Sequence, residues 1–283
     1  MRGNDTDADG GTGERTIDRR TALQAVGTGG AAAVGLTAFS GTAAAGNCLE
    51  LTKADAPEGF PVITEEFDAY GDVPYGADPL TIFVHGWQAE LGGDAWGQSY
   101  LSRQALGDAG YDEPVVGFKY WANNFWWPDA KDDAHDAGSQ LAELIQWWDD
   151  EHGPEEIRII CHSLGGHVSL QCLDDLQEDG DSVASLSLLG AAVDADSVTE
   201  GGDWYDAARD GADQVDNFYS ADDGVLEYIY SIGEFGDEAL GEESADGTPP
   251  ATLSEFDVTD TIGDHCEYFQ PDTGCMDAVA DQF

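Results

Sequence analysis

One serine stands in a sequence context that suits nucleophilic catalysis. Residues 160–166 read Ile-Cys-His-Ser-Leu-Gly-Gly, which places Ser163 directly after an apolar run and before a helical pattern. A serine on a sharp strand-to-helix turn is held in strained backbone geometry with its hydroxyl exposed, and small neighbours let the helix pack close to the strand. Gly165 and Gly166 supply that space. The segment therefore predicts a nucleophile for acyl transfer.

This segment resembles the nucleophile elbow of the α/β-hydrolase superfamily, specifically its lipase and esterase branch, which typically reads Gly-His-Ser-Leu-Gly-Gly. Cys161 stands where the first glycine of that pattern is usual, and cysteine is small enough for the turn to remain feasible. A strand-end position would bury the sulfur, whereas reactive thiols need partial exposure, so we interpret Cys161 as structural. We expect His162 to pack and form hydrogen bonds, not to act as the general base.

A second motif precedes the elbow. Residues 83–87 read Phe-Val-His-Gly-Trp and resemble the family's oxyanion-hole loop. The resemblance implies that the backbone N–H groups of Trp87 and Leu164 bind the negative charge that develops during acyl transfer. Without the elbow, a simple tight turn at His85 and Gly86 would be the better interpretation.

The resemblance also implies an acid and a base in the chain order Ser, Asp, His. Residues 219–226 resemble the family's strand end that carries the orienting acid; that register selects Asp223, with the adjacent Asp222 as its rival. His265 is the only histidine beyond these aspartates, so it is the expected base. The implied mechanism is formation and hydrolysis of an acyl-enzyme at Ser163.

The implied activity is that of a serine carboxylester hydrolase acting on small-molecule or lipid esters, with no cofactor. A thioesterase or peptidase of the same fold, or a catalytically silent binding protein on this scaffold, are the alternatives. Trp121 and Phe125, in an aromatic segment after a strand end, and His85 are candidate substrate contacts, although the aromatic segment is equally well explained as a structural loop. The histidines show no metal-ligand spacing, so no metal is assigned.

Short apolar runs alternate with helical patterns beyond the N-terminal segment. Strands are predicted at 80–84, 114–118, 157–161, 184–189, 215–219 and 256–259. Apolar residues at helical spacing predict helices across 134–148 and 168–176, and Gly153 and Pro154 should end the first of them. The alternation indicates an α/β fold with a mainly parallel central sheet and helices on both faces, as in the α/β-hydrolase fold.

The composition is extremely acidic, with 58 acidic and 10 basic residues and a formal net charge of −48. This charge excludes a nucleic-acid-binding function, which requires a basic surface. A hydrophobic content of 41% still suffices for a core. Because concentrated salt screens the self-repulsion of such a charge, we predict a protein of an extreme halophile.

Residues 1–45 have the order of a secretory signal. Arg19 and Arg20 precede an apolar Gly/Ala-rich run at 25–39, and small residues follow at 40–45. The arginine pair resembles the twin-arginine export type, so we predict cleavage near Ala45 and a secreted protein. The mature chain, residues 46–283, is expected to be one monomeric domain without stable membrane insertion.

Secretion would place the five cysteines in an oxidising compartment. Cys266 and Cys275 flank a turn-rich loop and are the preferred disulfide pair. Cys161 is the least suitable partner because it should be buried.

Overall fold

Eight strands form one sheet in the part of the chain that the computed structural model describes, residues 56–87, 95–124, 126–154, 156–233 and 238–283. The strands are β1 (Val62–Thr64), β2 (Ala69–Tyr70), β3 (Leu80–Val84), β4 (Val115–Lys119), β5 (Ile157–His162), β6 (Val183–Leu189), β7 (Ala212–Tyr219) and β8 (Leu253–Asp257). The predicted signal segment, residues 1–45, lies outside the described residues.

The strand order is β2-β1-β4-β3-β5-β6-β7-β8, and every neighbouring pair is parallel except β1 with β2. The register brings the carboxyl ends together at one edge, with Val84 of β3 beside Cys161 of β5 and His162 beside Leu189 of β6. Catalytic residues of parallel sheets collect at this edge because the loops that follow the strands meet there. The predicted mainly parallel sheet is therefore confirmed.

Helices cover both faces of this sheet. They are α1 (Ala95–Asp108), α2 (Trp127–His152), α3 (Gly165–Asp179), α4 (Tyr205–Asp210), α5 (Gly224–Gly233) and α6 (Met276–Ala280). One apolar core unites α2 and α3 with the sheet, through residues such as Leu141 and Leu173. A second core on the opposite face includes Leu106 of α1 and Val279 of α6. The prediction of an α/β-hydrolase fold with helices on both faces is confirmed.

The ends of the elements follow local chemistry. Helix α2 ends at His152, and Gly153 caps it as predicted: its φ of 57° lies in the left-handed region, and its N–H donates a hydrogen bond to the carbonyl oxygen of Asp149. β8 begins at Leu253, three residues before the predicted start at 256. None of the described helices is both long and apolar enough to cross a membrane.

The predicted Cys266–Cys275 disulfide is wrong. Cys275 is a free, buried thiol at the start of α6, and its Sγ lies 3.7 Å from the backbone oxygen of Tyr268. The sulfur packs into the second apolar core, where burial raises the pKa of the thiol to about 12. Two cysteines that flank a turn need not have facing side chains, and here the helix start directs Cys275 inward.

Candidate active site

Ser163 occupies the turn between β5 and α3 and has a strained backbone, with a φ of 58°. Among the described residues, Phe67 is the one other non-glycine residue with a positive φ. Such a conformation costs on the order of 1–3 kcal/mol for a residue with a side chain, so surrounding contacts must impose it. The backbone oxygen of Ser163 accepts hydrogen bonds from the N–H groups of Gly166 and Ala192, and these bonds fix the turn.

The glycine after Leu164 allows the elbow to meet strand β3. A Cβ placed on Gly165 would lie 2.8 Å from the backbone oxygens of both Val84 and His85, closer than real Cβ contacts. This close approach accounts for the Gly165 of the sequence motif. Cys161, which stands where the first glycine of the motif is usual, is fully buried in β5. Burial raises the pKa of its thiol to about 12, which agrees with a structural role.

The loop that follows β3 lies directly against the elbow. A Cβ on Gly86 would come within 2.9 Å of the Ser163 Cβ, so only glycine fits at this position. The backbone N–H groups of Trp87 and Leu164 donate no hydrogen bond to another described residue, and Leu164 stands at the N-terminus of α3. A helix N-terminus carries a partial positive charge. Two unengaged amides near a serine hydroxyl are what an oxyanion hole requires.

Trp87 is anchored by its side chain. Its indole Nε1 donates a hydrogen bond of 2.7 Å to the backbone oxygen of Asn124, and its ring meets that of Trp127 edge-on at 5.4 Å. The loop carrying the predicted oxyanion donor is thereby tied to the segment before α2.

His85 differs from the expectation that it contacts substrate. Its side chain is fully buried and stacks on Tyr120, with ring centroids 4.4 Å apart. The Nδ1–H donates to the backbone oxygen of Gly86 at 2.9 Å, and Nε2 accepts from the backbone N–H of Tyr120. His85 therefore shapes the loop from beneath and does not line an open surface.

The two other predicted substrate contacts follow β4. Trp121 is 52% exposed, and its backbone N–H donates to the carboxylate of Glu65 at 3.2 Å. Its side chain therefore lies at the surface, just beyond the carboxyl end of β4. Phe125 lies outside the described residues.

The structure brings the predicted acid and base together. His265 Nδ1 lies 2.6 Å from Asp223 Oδ2, and both side chains are buried. The adjacent Asp222 is exposed, so of the two candidate acids it is Asp223 that meets the imidazole. With Nδ1 engaged by the carboxylate, Nε2 is the ring atom left to accept a proton.

Asp223 is held in place by several donors. Its Oδ1 accepts hydrogen bonds of 3.2 Å from the backbone N–H groups of Val225 and Leu226, which makes it the cap of α5. Its Oδ2 also faces the hydroxyl of Tyr268 at 3.4 Å. A carboxylate with this many partners keeps one orientation, which in turn orients His265.

Tyr268 is a site residue that sequence reasoning missed. Its buried hydroxyl donates toward both Asp223 and the backbone oxygen of Gly241, the latter at 3.3 Å. Burial raises the pKa of Tyr268 well above its usual value, so it stays a donor. Gly190, with a φ of 50°, makes room, since a Cβ there would lie 2.7 Å from the ring. A tyrosine in an irregular C-terminal loop has no periodicity that could reveal this contact.

His162, the last residue of β5, connects Ser163 to the loop that carries His265. His162 Nε2 lies 2.7 Å from the backbone oxygen of His265, and the two imidazole centroids are 4.6 Å apart. The structure shows no hydrogen bond between Ser163 Oγ and the His265 ring. Catalytic hydrogen bonds are often long in the absence of substrate and shorten when it binds.

The arrangement suits proton transfer and nucleophilic attack. Within the described ranges, no group of three or more His, Cys, Asp or Glu side chains is placed to hold a metal ion. A strained serine, an imidazole held by a buried carboxylate, and two amides that donate to no other described residue are the parts that acyl transfer uses.

Residues 118–280 match the family model described as "Protein of unknown function (DUF726)". The match covers more than half of the chain, so the chain belongs to this family. The matched segment contains Ser163, Asp223 and His265, whereas the His85-Gly86-Trp87 loop precedes it. The description of the family names no activity.

One curated relative is an uncharacterized membrane protein of Schizosaccharomyces pombe. It is 30% identical over 120 residues, which are 41% of this chain and 20% of that protein. The alignment therefore spans about a fifth of the length of the relative.

Solved structures with similar folds include esterases and lipases. An esterase of Pyrobaculum calidifontis is 16% identical with a TM-score of 0.43, covering 73% of this chain and 76% of that chain. A hormone-sensitive lipase from a metagenome library is 14% identical with a TM-score of 0.47, covering 89% and 91%.

Proposed function

We propose that this protein is a serine hydrolase that cleaves carboxylic esters through an acyl-enzyme. The observation that carries the proposal is the buried Asp223–His265 pair, which His162 links to a serine with a φ of 58° at a strand-to-helix turn. Structural roles alone do not explain why a strained serine, an oriented imidazole and two amides that donate to no other described residue should gather at one edge of the sheet.

In the proposed reaction, His265 Nε2 takes the proton of the Ser163 hydroxyl as Oγ bonds to the ester carbonyl carbon. The amides of Trp87 and Leu164 hold the resulting oxyanion. The C–O bond to the alcohol then breaks, and the alcohol leaves with the proton from His265. Water repeats the sequence on the acyl-enzyme and releases the carboxylic acid, so that Ser163 regains its proton.

Hydrolysis of nitrophenyl esters from acetyl to palmitoyl, measured in multimolar salt, tests this proposal. We expect activity in the wild type and its loss in Ser163→Ala. Ser102→Ala is the matched control, because Ser102 is buried on α1 and its hydroxyl has no hydrogen-bond partner among the described residues. A folded wild type that hydrolyses no ester would reject the proposal, and equal rates in wild type and Ser163→Ala would reject the nucleophile.

The proposed enzyme works outside the cell in concentrated salt. Support comes from the formal net charge of −48 and from the paired arginines at 19 and 20. Melting temperatures that do not rise between dilute buffer and multimolar KCl would contradict the salt adaptation. Retention of the protein in the cell after Arg19→Lys and Arg20→Lys, against release of the wild type, would support twin-arginine export; equal release would contradict it.

A further inference from the structure

His162 contacts three parts of the candidate site at once. It precedes Ser163 in the chain, and its Nε2 lies 2.7 Å from the backbone oxygen of His265, which is 103 residues away. Its Nδ1 faces the His85-Gly86-Trp87 loop, since a Cβ on Gly86 would lie 3.0 Å from that nitrogen. The ring also meets Phe269 edge-on at 5.0 Å. His162 is 2% exposed, so these contacts enclose it.

The hydrogen-bond pattern defines the form of the ring. A carbonyl oxygen only accepts, so Nε2 must carry the proton that it donates to His265. Nδ1 is then unprotonated, and it has no hydrogen-bond partner among the described residues. Burial lowers the pKa of His162 well below its usual value, which keeps the ring neutral. Burying Nδ1 without a hydrogen-bond partner is unfavourable, and an apolar side chain would fill the same space without this penalty.

The bond supplies a restraint that Asp223 cannot supply. Asp223 holds the His265 ring at one atom, Nδ1, and a single hydrogen bond leaves the imidazole free to swing about that contact. The His162 bond fixes the peptide of His265 instead of its ring. With both the peptide and Nδ1 held, the direction of Nε2 is restricted relative to Ser163, the chain neighbour of His162.

We propose that His162 is a positioning residue for the general base: its Nε2–H fixes the His265 main chain so that the imidazole faces the Ser163 hydroxyl. This inference rests on the proposed ester hydrolysis. His162 does not touch substrate and moves no proton in the reaction. Its loss should therefore slow the chemical steps and leave substrate binding nearly unchanged.

Three substitutions test the donor. His162→Gln can place an amide N–H near the position of Nε2, whereas His162→Leu and His162→Asn leave the His265 carbonyl without that donor. We expect kcat to fall at least tenfold in the Leu and Asn variants, with KM within threefold of wild type, and to stay within threefold in His162→Gln. His135→Gln is the control, since His135 is a half-buried histidine that contacts His167 and Trp204 and not the triad. If His162→Leu does not fold, His162→Asn provides the same test.

Unchanged kcat in His162→Leu or His162→Asn would overturn the proposal. A loss of kcat in His162→Gln as large as that in the Leu and Asn variants would overturn it as well. A readout independent of turnover is the downfield proton resonance of the His265–Asp223 hydrogen bond. We expect it to broaden or disappear in His162→Leu and to persist in His162→Gln, and an unchanged signal in all variants would also overturn the proposal. Failure of the proposed ester hydrolysis is seen separately, as an inactive wild type.

Discussion

His265 Nδ1 lies 2.6 Å from Asp223 Oδ2, although 42 residues separate them in the chain. The contact joins the end of β7 to the C-terminal loop. Asp223 is also the cap of α5, so the same carboxylate starts a helix and orients an imidazole. The exposed Asp222 beside it provides an internal comparison, because the two residues differ in environment and not in chemistry.

Asp223→Asn should reduce kcat by about a thousandfold or more, because an amide in place of the carboxylate no longer favours the His265 tautomer with an unprotonated Nε2. Asp222→Asn should leave kcat within twofold of wild type. Steady-state hydrolysis of a nitrophenyl ester by both variants measures the difference. Equal losses in the two variants would show that the acid has been assigned incorrectly.

Gly165→Ala should abolish activity and lower the free energy of unfolding by about 1–3 kcal/mol, since overpacking of a close contact costs this much. The added Cβ would meet the backbone oxygens of Val84 and His85 at 2.8 Å, and backbone atoms cannot move aside as a flexible side chain can. Gly76→Ala is the control, because a Cβ there meets nothing within 4 Å. Denaturant titrations and rates that are alike in the two variants would contradict this account of the elbow.

His167 should make the protein less stable in acid. It is buried on α3 next to His135, and burial lowers its pKa from 6.5 to about 3. Below pH 6.5, His167 is therefore protonated in the unfolded chain, whereas in the folded chain it stays neutral until about pH 3. Stability contributed by the neutral ring is present above pH 6.5 and is lost as the pH falls, by at most about 1.4 kcal/mol per pH unit.

In His167→Gln, the free energy of unfolding should depend less steeply on pH between 6.5 and 3 than in wild type. Chemical denaturation at a series of pH values measures the slope. A wild-type slope in His167→Gln would mean that His167 is not the group responsible.

Iodoacetamide should leave ester hydrolysis unaffected in the folded protein. Cys161 is fully buried, and at a pKa of about 12 its thiol carries almost no thiolate at neutral pH. Mass spectrometry should find Cys161 unmodified before denaturation and alkylated after it. Modification of native Cys161 that parallels loss of activity would favour a thiol nucleophile at the elbow.

Much of the fold could be predicted because local patterns and tertiary structure agree. Five-residue apolar runs such as Leu80–Val84 are buried on both faces, and they remain strands wherever they are placed in a parallel sheet. β1 and β2 were not predicted, since three and two residues are too short for a periodic pattern. β1 is a strand because it pairs with β4, a contact that its own sequence does not encode.

The site was predictable where backbone geometry restricts residue type. Ser163 and Gly165 stand at positions that few residues tolerate, so the motif is visible in the sequence. Tyr268 and the His162–His265 bond depend on how a long C-terminal loop returns to the sheet, which no spacing reveals. The orientation of Cys275 also depends on the path of this loop, and for this reason the prediction of a Cys266–Cys275 disulfide was wrong.

Covalent labelling with a fluorophosphonate tests the central claim most directly. The reagent phosphonylates a serine Oγ whose proton is removed by a neighbouring base, with fluoride as the leaving group. Peptide mapping should find one adduct, on Ser163, and labelling should slow in Asp223→Asn and not in Asp222→Asn. No adduct on the folded wild type in multimolar salt, or an adduct on another residue only, would contradict the assignment of Ser163, His265 and Asp223 as a catalytic triad.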